Sequence, residues 1–152
     1  MGMSLERFAD RWTSPSYPPT PVDERALAET EASLGALLPA DYRSAVLRVG
    51  LPRPTIALLD SIVENDLSVA DLGDFLDPSS IVEVSRSWRG MGLPADLIAF
   101  ANDSLGNLFC FSARSQGDTS GVFYFDRDEG SVEEVAPSFT AWIDELASLP
   151  AI

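Results

Sequence analysis

LIAFANDSLGNLFCF, residues 97–111, sets two short apolar runs on either side of a polar hexad. Leu97 to Ala101 and Leu108 to Phe111 are the length of strands, and Asn102, Asp103, Gly106 and Asn107 are residues that tolerate or brace tight backbone turns. A connection this short joins antiparallel neighbours, since a parallel pair needs a long crossover. The stretch therefore predicts a β-hairpin. The same polar residues pose a rival reading, a metal-binding or active-site loop. A calcium loop needs oxygen ligands at alternate positions and a glutamate closing the set near the twelfth, whereas after Asp103 the chain runs straight into LFCF. The turn explains these residues without chemistry.

Downstream the pattern continues. GVFYFD (121–126) and SVEEVA (131–136) are two more strands, and the DRDEG between them reads as a hairpin turn closed by Gly130. Asp126, Asp128 and Glu129 could gather a cation, but Arg127 interrupts them. PSFTAWIDEL (137–146) opens at a proline and sets Phe139, Trp142, Ile143 and Leu146 on one helical face.

Upstream the periodicity is helical. Leu5, Phe8, Ala9 and Trp12 share a face in SLERFADRW (4–12), with Ser4 as its cap. TSPSYPPTP (13–21) forbids a helix and reads as an ordered connector laid across the body. Thr20 is expected to cap a second helix, with Pro21 at its first position and Gly35 at its exit. LPADYRSAVLRVG (38–50) repeats that grammar, with Tyr42, Ala45, Val46 and Val49 on one side. Residues 54–78 mix a β-leaning TIALL with short apolar runs. Asp77 and Pro78 then open a helix that turns Ile81, Val84, Ser85 and Trp88 inward, and GMG (90–92) breaks it. Helices, strands and a final helix predict an α+β fold: one domain, a mainly antiparallel curved sheet with helices packed on one face. Residues 1–21 form the N-terminal helix and connector of that body, and 22–152 the rest.

The charge excludes more than the motifs do. The chain has 152 residues with 24 acids against ten basic residues, all arginine, and no histidine, for a formal net charge of -14. Nucleic acid is a poor partner, because phosphate binding depends on a basic patch that releases counterions. A basic protein would instead be steered in by the negative field. Without histidine, neither a Ser-His-Asp nor a Cys-His arrangement can be assembled. Cys110 is the sole cysteine, so no internal disulfide and no Cys/His zinc set is expected, and between Phe109 and Phe111 it reads as a buried, inert thiol. No lysine-bearing glycine loop exists for a nucleotide phosphate. No cofactor or metal is expected. The N-terminus lacks a secretory pattern and no segment has the length of a membrane span, so the expected compartment is the cytoplasm. Asp60, Glu64, Asp66, Asp71, Asp74, Asp77 and Glu83 follow one another with no basic residue between Pro54 and Ser85. Such a run repels itself, a strain that a partner's cations would relieve.

Three stretches share a resemblance. ETEASLGALLPADYRSAVLRVG (29–50) carries Leu34 with Gly35, Leu38 with Pro39 and Asp41 with Tyr42. LPADLIAFANDSLGNLFCF ends its first apolar run at Phe100 before the polar turn, and EVAPSFTAWIDEL carries Ala136, Ser138, Phe139, Trp142 and Ile143. In order and spacing they resemble the SUKH superfamily, the Smi/Knr cell-wall-assembly-regulator-like domain. Where that family usually has an asparagine-glycine element, this chain has VGLPRP (49–54). The resemblance implies a SUKH-like α+β domain and a non-catalytic intracellular immunity protein that neutralises a cognate, basic toxin domain such as a nuclease. The expected partner-binding residues are Asp60, Glu64, Asp66, Asp71 and Asp74, with Asp126, Asp128 and Glu129 as a second patch, on a monomer or weak homodimer. The alternatives are a general interaction or regulatory module with no toxin partner, and a carboxylate-based hydrolase.

Overall fold

The computed structural model describes residues 3–150. Helices α1 (Met3–Trp12), α2 (Glu24–Leu34), α3 (Ala40–Val49) and α4 (Ile56–Glu64) come first. Strand β1 (Asp74–Phe75) and helix α5 (Pro78–Arg89) follow. Strands β2 (Leu97–Asn102), β3 (Leu108–Ser112), β4 (Val122–Asp126) and β5 (Ser131–Ala136) then lead to α6 (Phe139–Ala147). The five strands form one antiparallel sheet in the order β1-β2-β3-β4-β5. Thus the 97–111 stretch is a hairpin, and the domain is α+β, with most of its helices packed on one face of the sheet and the end of α5 reaching the other.

On that face the aromatic side chains of β2 and β3 meet the helices. Phe100 and Phe111 stack with centroids 3.9 Å apart and planes 3° from parallel. Tyr42 from α3 approaches both edge-on, at 5.8 and 5.0 Å, and Phe139 from α6 at 5.2 Å. Edge-to-face contacts of this kind add to the burial itself because each ring edge is positive and each face negative. The three stretches that carry the family resemblance therefore converge on one aromatic cluster. Asp41 reinforces it: its Oδ2 accepts from both Thr140 N and Thr140 Oγ1 at 3.0 Å, tying the start of α3 to the start of α6.

A smaller layer covers the other face. The pleat sends Leu97, Ala99, Leu108, Cys110 and Phe125 away from the aromatic cluster, and they pack under Val84 and Trp88 of α5. Trp88 meets Phe125 edge-on at 6.1 Å. Phe100 is the extra residue of a bulge, since Ala99 pairs with Cys110 and Ala101 with Phe109. The bulge frees a ladder N–H, and the buried Ser85 hydroxyl takes it up, accepting from Ala99 N at 3.0 Å.

Several element boundaries differ from expectation for identifiable reasons. Thr20 does not cap α2. It pairs with Leu51 in a two-bond bridge, at 2.9 and 2.8 Å, and Pro21 and Val22 stay outside the helix. Asp23 takes the cap instead, accepting from Ala26 N at 2.8 Å. The bridge brings Gly50 against the connector. A Cβ there would lie 2.6 Å from Thr20 O, and its φ of +94° already disfavours a side chain. The β-leaning TIALL becomes helix α4, because helical spacing buries Leu58, Ser61 and Ile62 together and burial outweighs local propensity. α1 begins at Met3, one residue before the expected cap Ser4, and α6 begins at Phe139 with Ser138 as its cap.

Asp77 caps α5 as expected, its Oδ1 accepting from Ser80 N at 2.8 Å and Ser79 Oγ at 3.0 Å. The Ser80 N–H, the larger cause, and the serine hydroxyl bonds hold its carboxyl below the usual carboxylate range. A depressed folded-state pKa contributes stability above the unfolded value, about 3.9, and that contribution is lost as pH falls through the folded value. Asp77→Ala should therefore lose about 1 kcal/mol at pH 7. Urea unfolding of both proteins should show the gap narrowing as the pH falls below about 3.9. A gap of equal size in acid would mean that the charge plays no part.

Candidate functional site

The polar turn of the opening hairpin is spent internally. Asp103 is 5% exposed, and its Oδ1 accepts from Leu105 N and Asn107 N, both at 2.9 Å. Its Oδ2 accepts from the Tyr124 hydroxyl, to which Asn107 Nδ2 also donates at 2.8 Å. Burial first, and then the Asp103 carboxylate, push the Tyr124 hydroxyl pKa upward. Asn107 Oδ1 receives Arg127 N at 3.1 Å, so the turns of both hairpins are fastened together.

Asp71 is buried, unlike the other acids of its run. It is 7% exposed, and its carboxylate accepts from Ser104 N at 3.0 Å and from the Ser104 hydroxyl. Those bonds brace the turn. Asp126 is half-buried and also serves as a brace, accepting from Asp128 N at 3.0 Å and Glu129 N at 3.2 Å. Asp60, Glu64, Asp66, Asp74, Asp128 and Glu129 are exposed. The strand register puts Asp74 and the 126–129 turn at the same end of the sheet: Asp74 faces Asn102, whose neighbours across the sheet are Leu108, Phe125 and Val132. Asp60 and Glu64 belong to a different element, the outer side of α4.

Ion pairing divides the surface. Arg7 pairs with Asp144, Arg25 with Glu29, Arg43 with Glu24 and Glu31, Arg48 with Glu6, and Arg114 with Asp96. Arg43 Nε stands 3.2 Å from Glu31 Oε2 without a hydrogen bond there, so that contact is one of charge alone. Arg127 lies over the Trp88 ring, 5.6 Å from its centroid. Among the described residues, none of the eight expected partner-binding acids has an arginine within ion-pair distance. Exposed apolar side chains stand among these acids: Ile56 (67% exposed) and Val63 (65%) on α4, and Leu105 (80%) at the tip of the β2–β3 turn.

The sequence reading missed one feature, a groove of about 320 Å³ on the helix-covered side of the sheet. Phe109, Tyr124 and Trp142 floor it, residues 68–70 form one wall, and Glu133 and Glu145 stand at its margin. SVEEVA held the signal, two adjacent glutamates in a final strand whose middle is exposed on both faces. A more open depression of about 460 Å³ lies between α2 and the start of α5. Two of its polar side chains are engaged by its own walls, Thr30 Oγ1 donating to Pro78 O and Asp77 capping α5.

Among the described residues, no three acids or cysteines are placed to hold a metal ion, and no helix is long and apolar enough to cross a membrane. Cys110 is buried, which pushes its thiol up to about 12. The native protein should therefore resist iodoacetamide at pH 8 and react fully once unfolded, as followed by mass spectrometry. Rapid labelling of the folded chain would show that the α5 layer opens.

Fold and surface together describe an α+β domain whose exposed acids on α4, β1 and the β4–β5 turn have no arginine partner among the described residues. The chain belongs to the SMI1 / KNR4 family (SUKH-1), whose model matches residues 21–145. No curated protein matches it in sequence. Among solved structures, a protein from Pseudomonas syringae pv. tomato aligns with a TM-score of 0.59 at 21% identity, over 93% of this chain and 94% of that one. At that identity the likeness shows the fold.

Proposed function

We propose that this chain is a non-catalytic, cytoplasmic immunity protein that binds a cognate basic toxin domain, such as a nuclease, and covers its active site or substrate groove. Family membership supports an immunity or protein-interaction role. The observation that carries the finer reading is the set of exposed acids on α4, β1 and the β4–β5 turn with no intramolecular cation, interspersed with Ile56, Val63 and Leu105. Exposed apolar side chains supply the desolvated centre of an interface, and the surrounding charge sets encounter rate and partner choice. A toxin that grips a phosphate backbone presents the complementary basic surface.

Co-expression with each neighbouring secreted-toxin gene tests this directly. Growth should be rescued against one toxin and not the rest. Rescue against none, together with affinity capture of a basic cellular protein, would replace the toxin by a regulatory partner. Turnover by the purified protein would overturn the non-catalytic reading.

A further inference from the structure

The last strand of the sheet ends in an open edge. β5 pairs with β4 alone, and among the described residues no backbone group bonds to its far side. Residues 131–135 are exposed, including Val132 and Val135. Such an edge is a template for another strand unless something guards it. Here the guard is charge. A second copy added antiparallel about the strand's middle would set Glu133 and Glu134 against the same two glutamates, and like charges directly opposite each other are destabilising. The guard that rejects a second copy favours a strand of the opposite charge.

The two glutamates point to opposite faces. Glu133 lies across from Tyr124, which lies across from Phe109, so this row runs from the open edge along the floor of the groove. Glu134 lies across from Phe123, and its carboxylate folds over Gly121, filling the space a Cβ there would need. No arginine lines the groove; Glu134 borders it along the strand, and Glu145 adds a further carboxylate beside Trp142. A cation held above aromatic rings and between carboxylates gains from the ring faces and the charges together.

We propose that β5 takes an extended, basic segment of the bound protein as a sixth strand. Two adjacent cationic side chains of that segment face Glu133 and Glu134 on opposite sides of the sheet, and the first reaches over Tyr124 into the groove. This deepens the reading of a basic partner and rests on it. Backbone pairing to the edge supplies affinity, and the two carboxylates supply selection.

The test is hydrogen exchange of the full-length protein with three synthetic octapeptides: Thr-Val-Thr-Arg-Arg-Thr-Val-Thr, the same peptide with Glu-Glu at its centre, and the Arg-Arg peptide with both valines replaced by proline. The first should slow exchange across residues 131–136 by about tenfold or more, and the other two should not. E133R/E134R should abolish that protection. Both side chains are on an exposed strand, so the variant's native fold can be verified by circular dichroism. Equal protection by the proline peptide would reduce the effect to diffuse charge attraction and overturn strand addition, as would no protection by the first peptide. Sedimentation showing a dimer that itself protects 131–136 would overturn the choice of occupant. A captured natural partner that protects residues 56–66 but not 131–136 would sink this inference and leave the proposed function standing. Peptide protection without rescue from any toxin would do the reverse.

Discussion

Phe100→Ala should destabilise the domain by about 3–5 kcal/mol, enough to lower its thermal midpoint by roughly 10 °C. Phe100 is fully buried, stacks on Phe111 at 3.9 Å, and takes the edges of Tyr42, Phe139 and Trp142 at 5.8, 6.0 and 5.4 Å. Removing the ring deletes the point where α3, α6 and the β2–β3 hairpin meet. Its neighbours are large and held by one another, so they collapse little into the space, and the cavity contribution adds to the lost transfer energy. Position sharpens the effect, because Phe100 is the extra residue of the bulge and its direction depends on the Ala99 to Ser85 hydrogen bond. Urea unfolding measures the loss. Phe100→Leu should lose less than half as much, and a Phe100→Ala/Phe111→Ala pair should lose less than the two singles added, since each removes the other's partner. A loss under about 1 kcal/mol for Phe100→Ala would show that the aromatic cluster repacks freely.

That cluster also explains why much of the fold could be read from the chain. LIAFA, NDSLGN and LFCF each specify their conformation locally, through strand-length apolar runs and turn residues whose own side chains close the turn. Asp77 and Pro78 announced α5 for the same reason, since a cap and a fixed φ act within one helical turn. What escaped was set by distant partners. Thr20 lost its capping role to a bridge with Leu51, and TIALL became helical because Leu58, Ser61 and Ile62 share a buried face. The layer of α5 against the second face was encoded in the alternation of β2 and β3, but strict alternation is hidden where the bulge inserts Phe100.

The candidate surface divides along the same line. Exposed acids on α4 and in the β4–β5 turn were visible as an arginine-free run and as a charged turn. Asp71 looked identical to them in sequence and is buried, because its bonding to Ser104 depends on a loop that arrives more than thirty residues later. Glu133 and Glu145 became visible only when the register set Tyr124 beside Glu133 and α6 brought Glu145 to the groove. A charge run marks a surface well. It does not show which acids are spent on the fold.

The triple reversal Asp60→Lys, Glu64→Lys and Asp66→Lys should slow association with the captured partner by about tenfold or more at low salt, with a much smaller change in dissociation. Each reversal changes the charge by two, so the three take the net charge from -14 to -8. None of the three acids has an arginine partner, and Asp66 alone occupies a left-handed backbone position, at φ +52°, that lysine adopts less readily than aspartate, so stability should fall by no more than about 1 kcal/mol. Stopped-flow binding between about 50 and 200 mM salt should show the native rate falling steeply and the variant's falling little. The control separates local from diffuse attraction. Asp10→Lys, Glu83→Lys and Asp118→Lys make the same net change at exposed acids outside the proposed surface. If the encounter is steered toward α4, the control keeps most of the native rate, because oriented charge close to the docking surface acts within a Debye length and remote charge is screened. If the two variants slow equally, attraction belongs to the molecule as a whole, and the outer side of α4 loses its claim to be where the partner lands.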